Sequence, residues 1–266
     1  MRTVVHPFTR LLALGLGRDG AAVTARGPVR PESFLPGSSR IRLAVLATMV
    51  DVVAGQTPNG PDLPATGSTM DLRCVLLGPP PATGYVHLRC QPLRVGRRAV
   101  VAETELFAAE PGPGAAPFAR AVSTYVAWDT GAGAATGPPP VEPVAGGSFD
   151  AYLGARCHDA HTLVLDRSDR VTNGPTGTVH GGAQALLAEL AAERVAGGPA
   201  VAAGERRVVA TDLDIRYVDR LRIGPLVASA RELPAANQAP LAVVELRDAG
   251  ADDRLVSQAT VTFGYL

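Results

Sequence analysis

Residues 172–189 read Thr-Asn-Gly-Pro-Thr-Gly-Thr-Val-His-Gly-Gly-Ala-Gln-Ala-Leu-Leu-Ala-Glu. A polar, turn-forming stretch enters His180-Gly181-Gly182 and then an alanine- and leucine-rich run that predicts a helix. Glycines at a helix start leave backbone N–H groups uncovered, and those donors plus the helix dipole suit an anion or a polarised carbonyl. Glu189 follows His180 by nine residues, inside an otherwise apolar stretch. An ionised carboxylate buried there is costly unless it is paired or its pKa rises, so such an acid either reaches solvent at a helix edge or does chemistry. The first half of the chain carries a counterpart. Asp51 sits among Met49, Val50, Val52 and Val53, nine residues after Arg42. There the helix start reads Arg42-Leu43-Ala44, without the glycines that let a ligand approach the backbone closely.

The segment resembles the His-Gly-Gly region of the hotdog-fold acyl-CoA thioesterases, of the PaaI-like and 4-hydroxybenzoyl-CoA thioesterase superfamily. That family has an Asn before the His-Gly-Gly and an acid nine residues after the His. Asn173 stands one residue further from His180 than the family pattern, with Pro175 in the intervening loop. The resemblance implies an α+β fold, a double hotdog, in which each half is one helix wrapped by an antiparallel sheet. It also implies sites built across the interface of the halves, with the amide donor from one helix start and the acid from the other helix. Carried over here, Asn173, His180 and Gly181 face Asp51, and Glu189 faces the altered start at Arg42 and Leu43. Gly182, Arg42 and Leu43 are then the expected substrate-binding positions, and Asp51 is the first choice of working carboxylate with Glu189 second.

The implied reaction is hydrolysis of an acyl-CoA or acyl-carrier-protein thioester. Donors at Gly181 and Asn173 stabilise the oxyanion, and the acid acts either as general base or as direct nucleophile. Coenzyme A enters as part of the substrate, and no metal or other cofactor is implied. A hotdog dehydratase or hydratase, and a non-catalytic acyl-thioester-binding protein, are the alternatives. A homo-oligomer of such chains is compatible with the resemblance.

The elements that position these residues read as a duplication. Residues 40–55 predict a buried helix, followed by strand-like runs at 70–77, 86–93, 99–108 and 121–128. The second half repeats the order, with a helix carrying Glu189 and then runs at 208–218, 225–233, 241–247 and 255–263. Asp71-Leu72-Arg73 matches Asp214-Ile215-Arg216, 103–106 falls where 243–246 falls, and 121–125 matches 259–263, all in the same order. The Gly/Ala/Pro-rich stretch 131–147 reads as a linker between an N-terminal unit, 1–130, and a C-terminal unit, 148–266. Loops are expected at 111–117 and 197–204. Helices apolar on nearly every face suit a sheet that wraps around them.

Composition narrows the function classes. A formal net charge of +0 without a basic tract argues against nucleic acid. The 3 cysteines, Cys74, Cys90 and Cys157, have no paired spacing, which argues against a disulfide framework or zinc site and fits a reducing compartment. The apolar run 11–16 is too short and too soon interrupted by Arg18-Asp19 for a signal-peptide core, so a cytoplasmic location is expected. No apolar run approaches the ~20 residues of a membrane helix. Gly15-Leu16-Gly17-Arg18-Asp19-Gly20 fits the dinucleotide fingerprint in letters only. No helix pattern follows it, and a turn between strands is expected. His158 and His161 read as surface or strand residues rather than metal ligands, Arg94, Arg97 and Arg98 as a solvated hairpin turn, and no GxSxG serine elbow occurs.

Overall fold

The computed structural model describes residues 7–57, 67–127, 147–173, 177–196, 207–234 and 239–266. Two rounds of the same element order follow one another along the chain. The first contains α1 (Pro7–Arg10), β1 (Gly15–Asp19), β2 (Ala22–Pro28), α2 (Leu43–Ala54), β3 (Gly67–Leu76), β4 (Tyr85–Val95), β5 (Ala99–Phe107) and β6 (Ala119–Ala127). The second contains α3 (Phe149–Leu153), β7 (Arg156–Cys157), β8 (Thr162–Leu165), α4 (Gly181–Val195), β9 (Val208–Tyr217), β10 (Leu226–Leu233), β11 (Leu241–Asp248) and β12 (Arg254–Tyr265).

The strands join in one antiparallel sheet, ordered β1-β2-β4-β5-β6-β3-β9-β12-β11-β10-β8-β7. Outward from the centre, β3-β6-β5-β4-β2-β1 is repeated by β9-β12-β11-β10-β8-β7. The seam is β3 against β9, where Asp71 pairs with Arg216, Leu72 with Ile215 and Arg73 with Asp214. The two matching Asp-x-Arg tripeptides are therefore partners across the local twofold, each placing acid opposite base. The other two sequence matches fall on corresponding strands, β5 with β11 and β6 with β12.

A sheet this long has a face to bury, and α2 and α4 fill it. Every residue of α2 except Val52 is buried, and α4 buries the run from Gly182 to Glu189. Neither helix offers a polar stripe to solvent, so neither would persist outside the sheet. The helices pack antiparallel. The start of α2, at Ala44, meets Glu189 in α4, and Asp51 near the end of α2 meets Gly181 at the start of α4. Where they cross, a Cβ on Gly182 would lie 2.3 Å from Thr48 Cγ2, so the approach requires glycine there.

The expected helix at 40–55 is observed as Leu43–Ala54, and the eight expected strands are all present, with ends shifted by a few residues. Trp128, in the expected strand 121–128, the linker stretch up to residue 146 and the loop at 197–204 lie outside the described residues. The sequence reading did not anticipate β7 and β8 or the short helices α1 and α3. The fingerprint-like run is a strand itself, with the turn only at Gly20, φ +58°. All five β1 residues are exposed at the edge of the sheet, so no hydrophobic alternation marks them. Leu12 is buried and Leu14 packs on the core, which ties the early apolar run into the fold. No helix among the described residues is long and apolar enough to cross a membrane.

Candidate active site

His180 stands at the N-cap of α4 with φ −58° and ψ 140°, and its Nδ1 accepts a hydrogen bond from the Gly182 N–H at 3.0 Å. That bond leaves the proton on Nε2, which faces Asp51 Oδ2 at 3.9 Å. Burial pushes the imidazole down to about 4, so the ring is neutral at physiological pH. With Gly182 capped by the histidine, the Gly181 N–H is the first donor of a fifteen-residue helix and meets no protein acceptor among the described residues. It carries the positive end of the α4 dipole.

Asp51 approaches this helix start from α2. Its Oδ1 accepts from Thr69 Oγ1 at 2.5 Å and from the Tyr125 hydroxyl at 3.2 Å, and the same hydroxyl lies 2.9 Å from the Asp51 carbonyl oxygen. The other oxygen, Oδ2, points at Gly181, where an added Cβ would lie 3.1 Å from it. One carboxylate oxygen is thus held by the sheet and the other lies beside Gly181. Burial raises the Asp51 pKa, and the bonds from Thr69 and Tyr125 partly offset that rise. Tyr217, at the end of β9, donates to the Gly181 carbonyl at 3.0 Å and fixes the turn into the helix. Gln184 donates from Nε2 to the Val179 carbonyl at 2.9 Å and accepts from Ser257.

A cavity of about 1010 Å³ opens on this corner. Asp51, Thr69 and Tyr125 line it from the first half, and Asn173, His180, Gly181, Gln184 and Tyr217 from the second. Asn173 is placed by two backbone bonds, its amide donating to the Thr178 carbonyl and its own carbonyl accepting from Gly177.

The corresponding corner at the start of α2 is built differently. Arg42 occupies the N-cap with φ −60° and ψ 139°, nearly the backbone of His180. Glu189 Oε2 accepts the Ala44 N–H at 2.5 Å, and Glu189 Oε1 lies 3.3 Å from Arg42 Nη1. Arg42 also pairs with Glu193 at 2.5 Å and with Asp150 of α3 at 2.7 Å. Burial opposes the charge on Arg42, but Glu189, Glu193 and Asp150 more than offset it and hold the guanidinium charged. Burial pushes Glu193 up to about 7 and raises Glu189 as well, against the pull of Arg42.

Residues 176–252 match the family described as the thioesterase superfamily. Three solved structures share the architecture over nearly the whole chain. The tesB protein of Mycobacterium avium subspecies paratuberculosis is 15% identical, covers 99% of this chain and 100% of its own, and superposes with a TM-score of 0.64. An acyl-CoA thioesterase II from Mycobacterium marinum is 13% identical, covering 97% and 98%, with a TM-score of 0.60. A hot dog fold protein of unknown function from Alicyclobacillus acidocaldarius is 14% identical, covering 99% of each chain, with a TM-score of 0.59. The chain has a hotdog thioesterase-like fold. At these identities the likeness speaks for the fold. No curated protein matches the chain.

Of the residues singled out from the hotdog resemblance, Asp51, Asn173, His180 and Gly181 come together at one cavity. Glu189, Arg42 and Leu43 come together at the other helix start, where Arg42 is 2% and Leu43 1% exposed and neither lines the cavity. Gly182, expected at the substrate, packs against Thr48 and gives its amide to His180. Arg94, Arg97 and Arg98 lie at the β4–β5 hairpin, away from the cavity lining, and His158 and His161 are exposed beside β7 and β8. Thr69, Tyr125, Gln184 and Tyr217 were not anticipated. For Tyr125 a signal existed, because the repeat aligns it with Phe263 and the only chemical difference is a hydroxyl.

Proposed function

We propose that the chain is a double hotdog that hydrolyses an acyl thioester at one corner, between Asp51 of an N-terminal unit (1–130) and Gly181 of a C-terminal unit (148–266), joined by 131–147. The observation that carries this reading is the Asp51 carboxylate beside Gly181 at a helix start whose first amide is uncapped, both lining one cavity. The thioester carbonyl oxygen accepts from the Gly181 N–H, with Asn173 beside it, and negative charge grows on that oxygen where the α4 dipole favours it. In the general-base route Asp51 Oδ2 takes a proton from water as the water oxygen bonds to the carbonyl carbon, and the carrier thiolate leaves. In the nucleophilic route Oδ2 attacks the carbonyl carbon, the C–S bond breaks and the carrier thiolate leaves as the anhydride forms, and water then opens the anhydride to the free acid and the restored Asp51 carboxylate. Thr69 and Tyr125 hold Oδ1 in both cases and keep the carboxylate aimed. Coenzyme A or an acyl-carrier protein arrives as part of the substrate, and no further cofactor takes part.

The engagement of His180 supports hydrolysis over dehydration. Its Nδ1 is committed to a backbone amide, and burial keeps the ring neutral, so it serves as a cap more readily than as a proton shuttle. The test is a thiol-release assay across short, long and aromatic acyl-CoAs, with enoyl absorbance followed in parallel. Free thiol appearing in step with free acid is expected. A change in enoyl absorbance without thiol release, or tight binding without turnover, would overturn the reading.

A further inference from the structure

Most hydrogen-bonding groups at the Asp51 corner are already engaged. Thr69 and Tyr125 direct their hydroxyls at Asp51 Oδ1. His180 presents Nε2, which carries the ring proton and so can only donate. Gln184 is held by the Val179 carbonyl and by Ser257. Tyr217 is different. Its hydroxyl donates to the Gly181 carbonyl at 3.0 Å, so its proton is committed while the lone pairs on its oxygen remain for an incoming donor. Burial and the neighbouring Asp51 push the phenol well above its ordinary value, and the proton stays in place. Tyr217 and Asp51 also frame one space. A Cβ on Gly181 would lie 3.1 Å from Asp51 Oδ2 and 3.2 Å from the Tyr217 hydroxyl. Both oxygens are thus within 3.2 Å of one point beside the helix start, a separation that a single bridging water spans. Both residues line the cavity, one from each half of the chain. The corner at Arg42 lacks this pair, because the repeat puts Cys74 where Tyr217 stands, and a buried sulfur is a weak acceptor.

Building on the thioesterase reading, we propose that Tyr217 is a further catalytic residue, whose hydroxyl oxygen holds the attacking water against Asp51 Oδ2. A water molecule has two protons to place. One is directed at Asp51 Oδ2 and the other at the Tyr217 oxygen, which turns a lone pair of the water toward the carbonyl carbon of a thioester held by the Gly181 N–H. As the water oxygen bonds to that carbon, Asp51 Oδ2 takes the first proton. The C–S bond then breaks, its electron pair leaves with the carrier thiolate, and Asp51 gives up its proton to that thiolate or to solvent. The second proton stays on the new carboxylic acid. Gly181 gains a second reason to be glycine, since a methyl there would crowd both oxygens that hold the water.

Competition between water and methanol separates this role from simple anchoring of the Gly181 carbonyl. Methanol has one O–H, which Asp51 takes, and none left for Tyr217. Wild type, Tyr217→Phe and Tyr125→Phe turn over an acyl-CoA in a fixed water–methanol mixture, and thiol, free acid and methyl ester are measured. Tyr217→Phe is expected to lower kcat for hydrolysis about tenfold, the scale of one hydrogen bond to the reacting water. KM and the rate of methanolysis should hold, so the ratio of ester to acid rises by the same factor. Tyr125 bonds Oδ1 and not Oδ2, so Tyr125→Phe should leave that ratio at its wild-type value. Equal losses of acid and ester in Tyr217→Phe, a loss expressed in KM, or unchanged hydrolysis would overturn the proposal while the hydrolase reading stands. Absence of thiol release by wild type would overturn both.

Discussion

At Arg42 and at His180 the chain turns into a buried helix with nearly the same backbone angles, and each helix start receives an acid from the other helix. The side chains then diverge. Glu189 caps the Ala44 amide, whereas the corresponding Gly182 amide is capped by the His180 ring and Asp51 lies beside Gly181. Arg42, Glu193 and Asp150 fill the space beside Glu189 with ion pairs, whereas the space beside Asp51 is a cavity. In the sheet, Tyr125 gives Asp51 a hydroxyl where the repeat places Phe263, and Tyr217 anchors Gly181 where the repeat places the buried Cys74. One fold thus holds the same pair of groups twice, filled with ion pairs at one corner and opening on a cavity at the other. The residue at the N-cap separates the two, since His180 caps the second amide of its helix and Arg42 joins an ion cluster instead.

Changes at the closed corner should break it with the largest effect. Arg42→Met leaves Glu189, Glu193 and Asp150 without a cation, and breaking a buried pair from one side costs about 3–5 kcal/mol. Urea unfolding should register that loss. The loss should shrink toward acid, because Glu193, already pushed up to about 7, can take a proton there. Gly182→Ala acts on both corners through the helix crossing. Its new methyl meets Thr48, and overpacking of this kind costs about 1–3 kcal/mol by the same measurement.

Asp51→Asn should move stability the other way. A carboxyl whose folded pKa is raised contributes stability below its unfolded pKa, and that contribution fades as pH rises through the folded value. Above that folded value the ionised Asp51 is therefore a cost, and the amide variant is expected to melt higher there. An unchanged or lower Tm would contradict this account of its burial. The smallest change comes from Tyr125→Phe, which gives the open corner the ring of the closed one. The lost hydroxyl favours ionised Asp51, so its removal raises the Asp51 pKa further and should shift the acid limb of the rate profile to higher pH. A shift to lower pH would contradict it.

Much of this comparison was legible in the sequence because the two helices are apolar on all sides and their acids sit in register. Strands buried on one face announced themselves by alternation. The edge strands did not, since exposed residues such as Gly15–Asp19 carry no pattern. The acids and the Gly181 turn were legible as well, but their hydroxyl partners were not. Thr69 and Tyr217 matter only because the sheet brings them to the helix ends, and nothing local distinguishes them from other strand residues. Gly182 illustrates the same limit. A glycine beside a helix start serves a ligand or a close crossing equally well, and only the approach of Thr48 tells which. The ion cluster of Arg42 joins residues more than a hundred positions apart, so nothing local to Glu189 shows that an isosteric change there lowers stability.

The most direct measurement is kcat for acyl-CoA hydrolysis by Asp51→Asn and Glu189→Gln, each corrected for the folded fraction. The account predicts a loss of about 100-fold or more for Asp51→Asn, the scale of removing a general base or nucleophile. It predicts near wild-type turnover, with a lowered Tm, for Glu189→Gln. Full activity in Asp51→Asn alongside a collapse in Glu189→Gln would contradict it and assign the chemistry to the corner at Arg42.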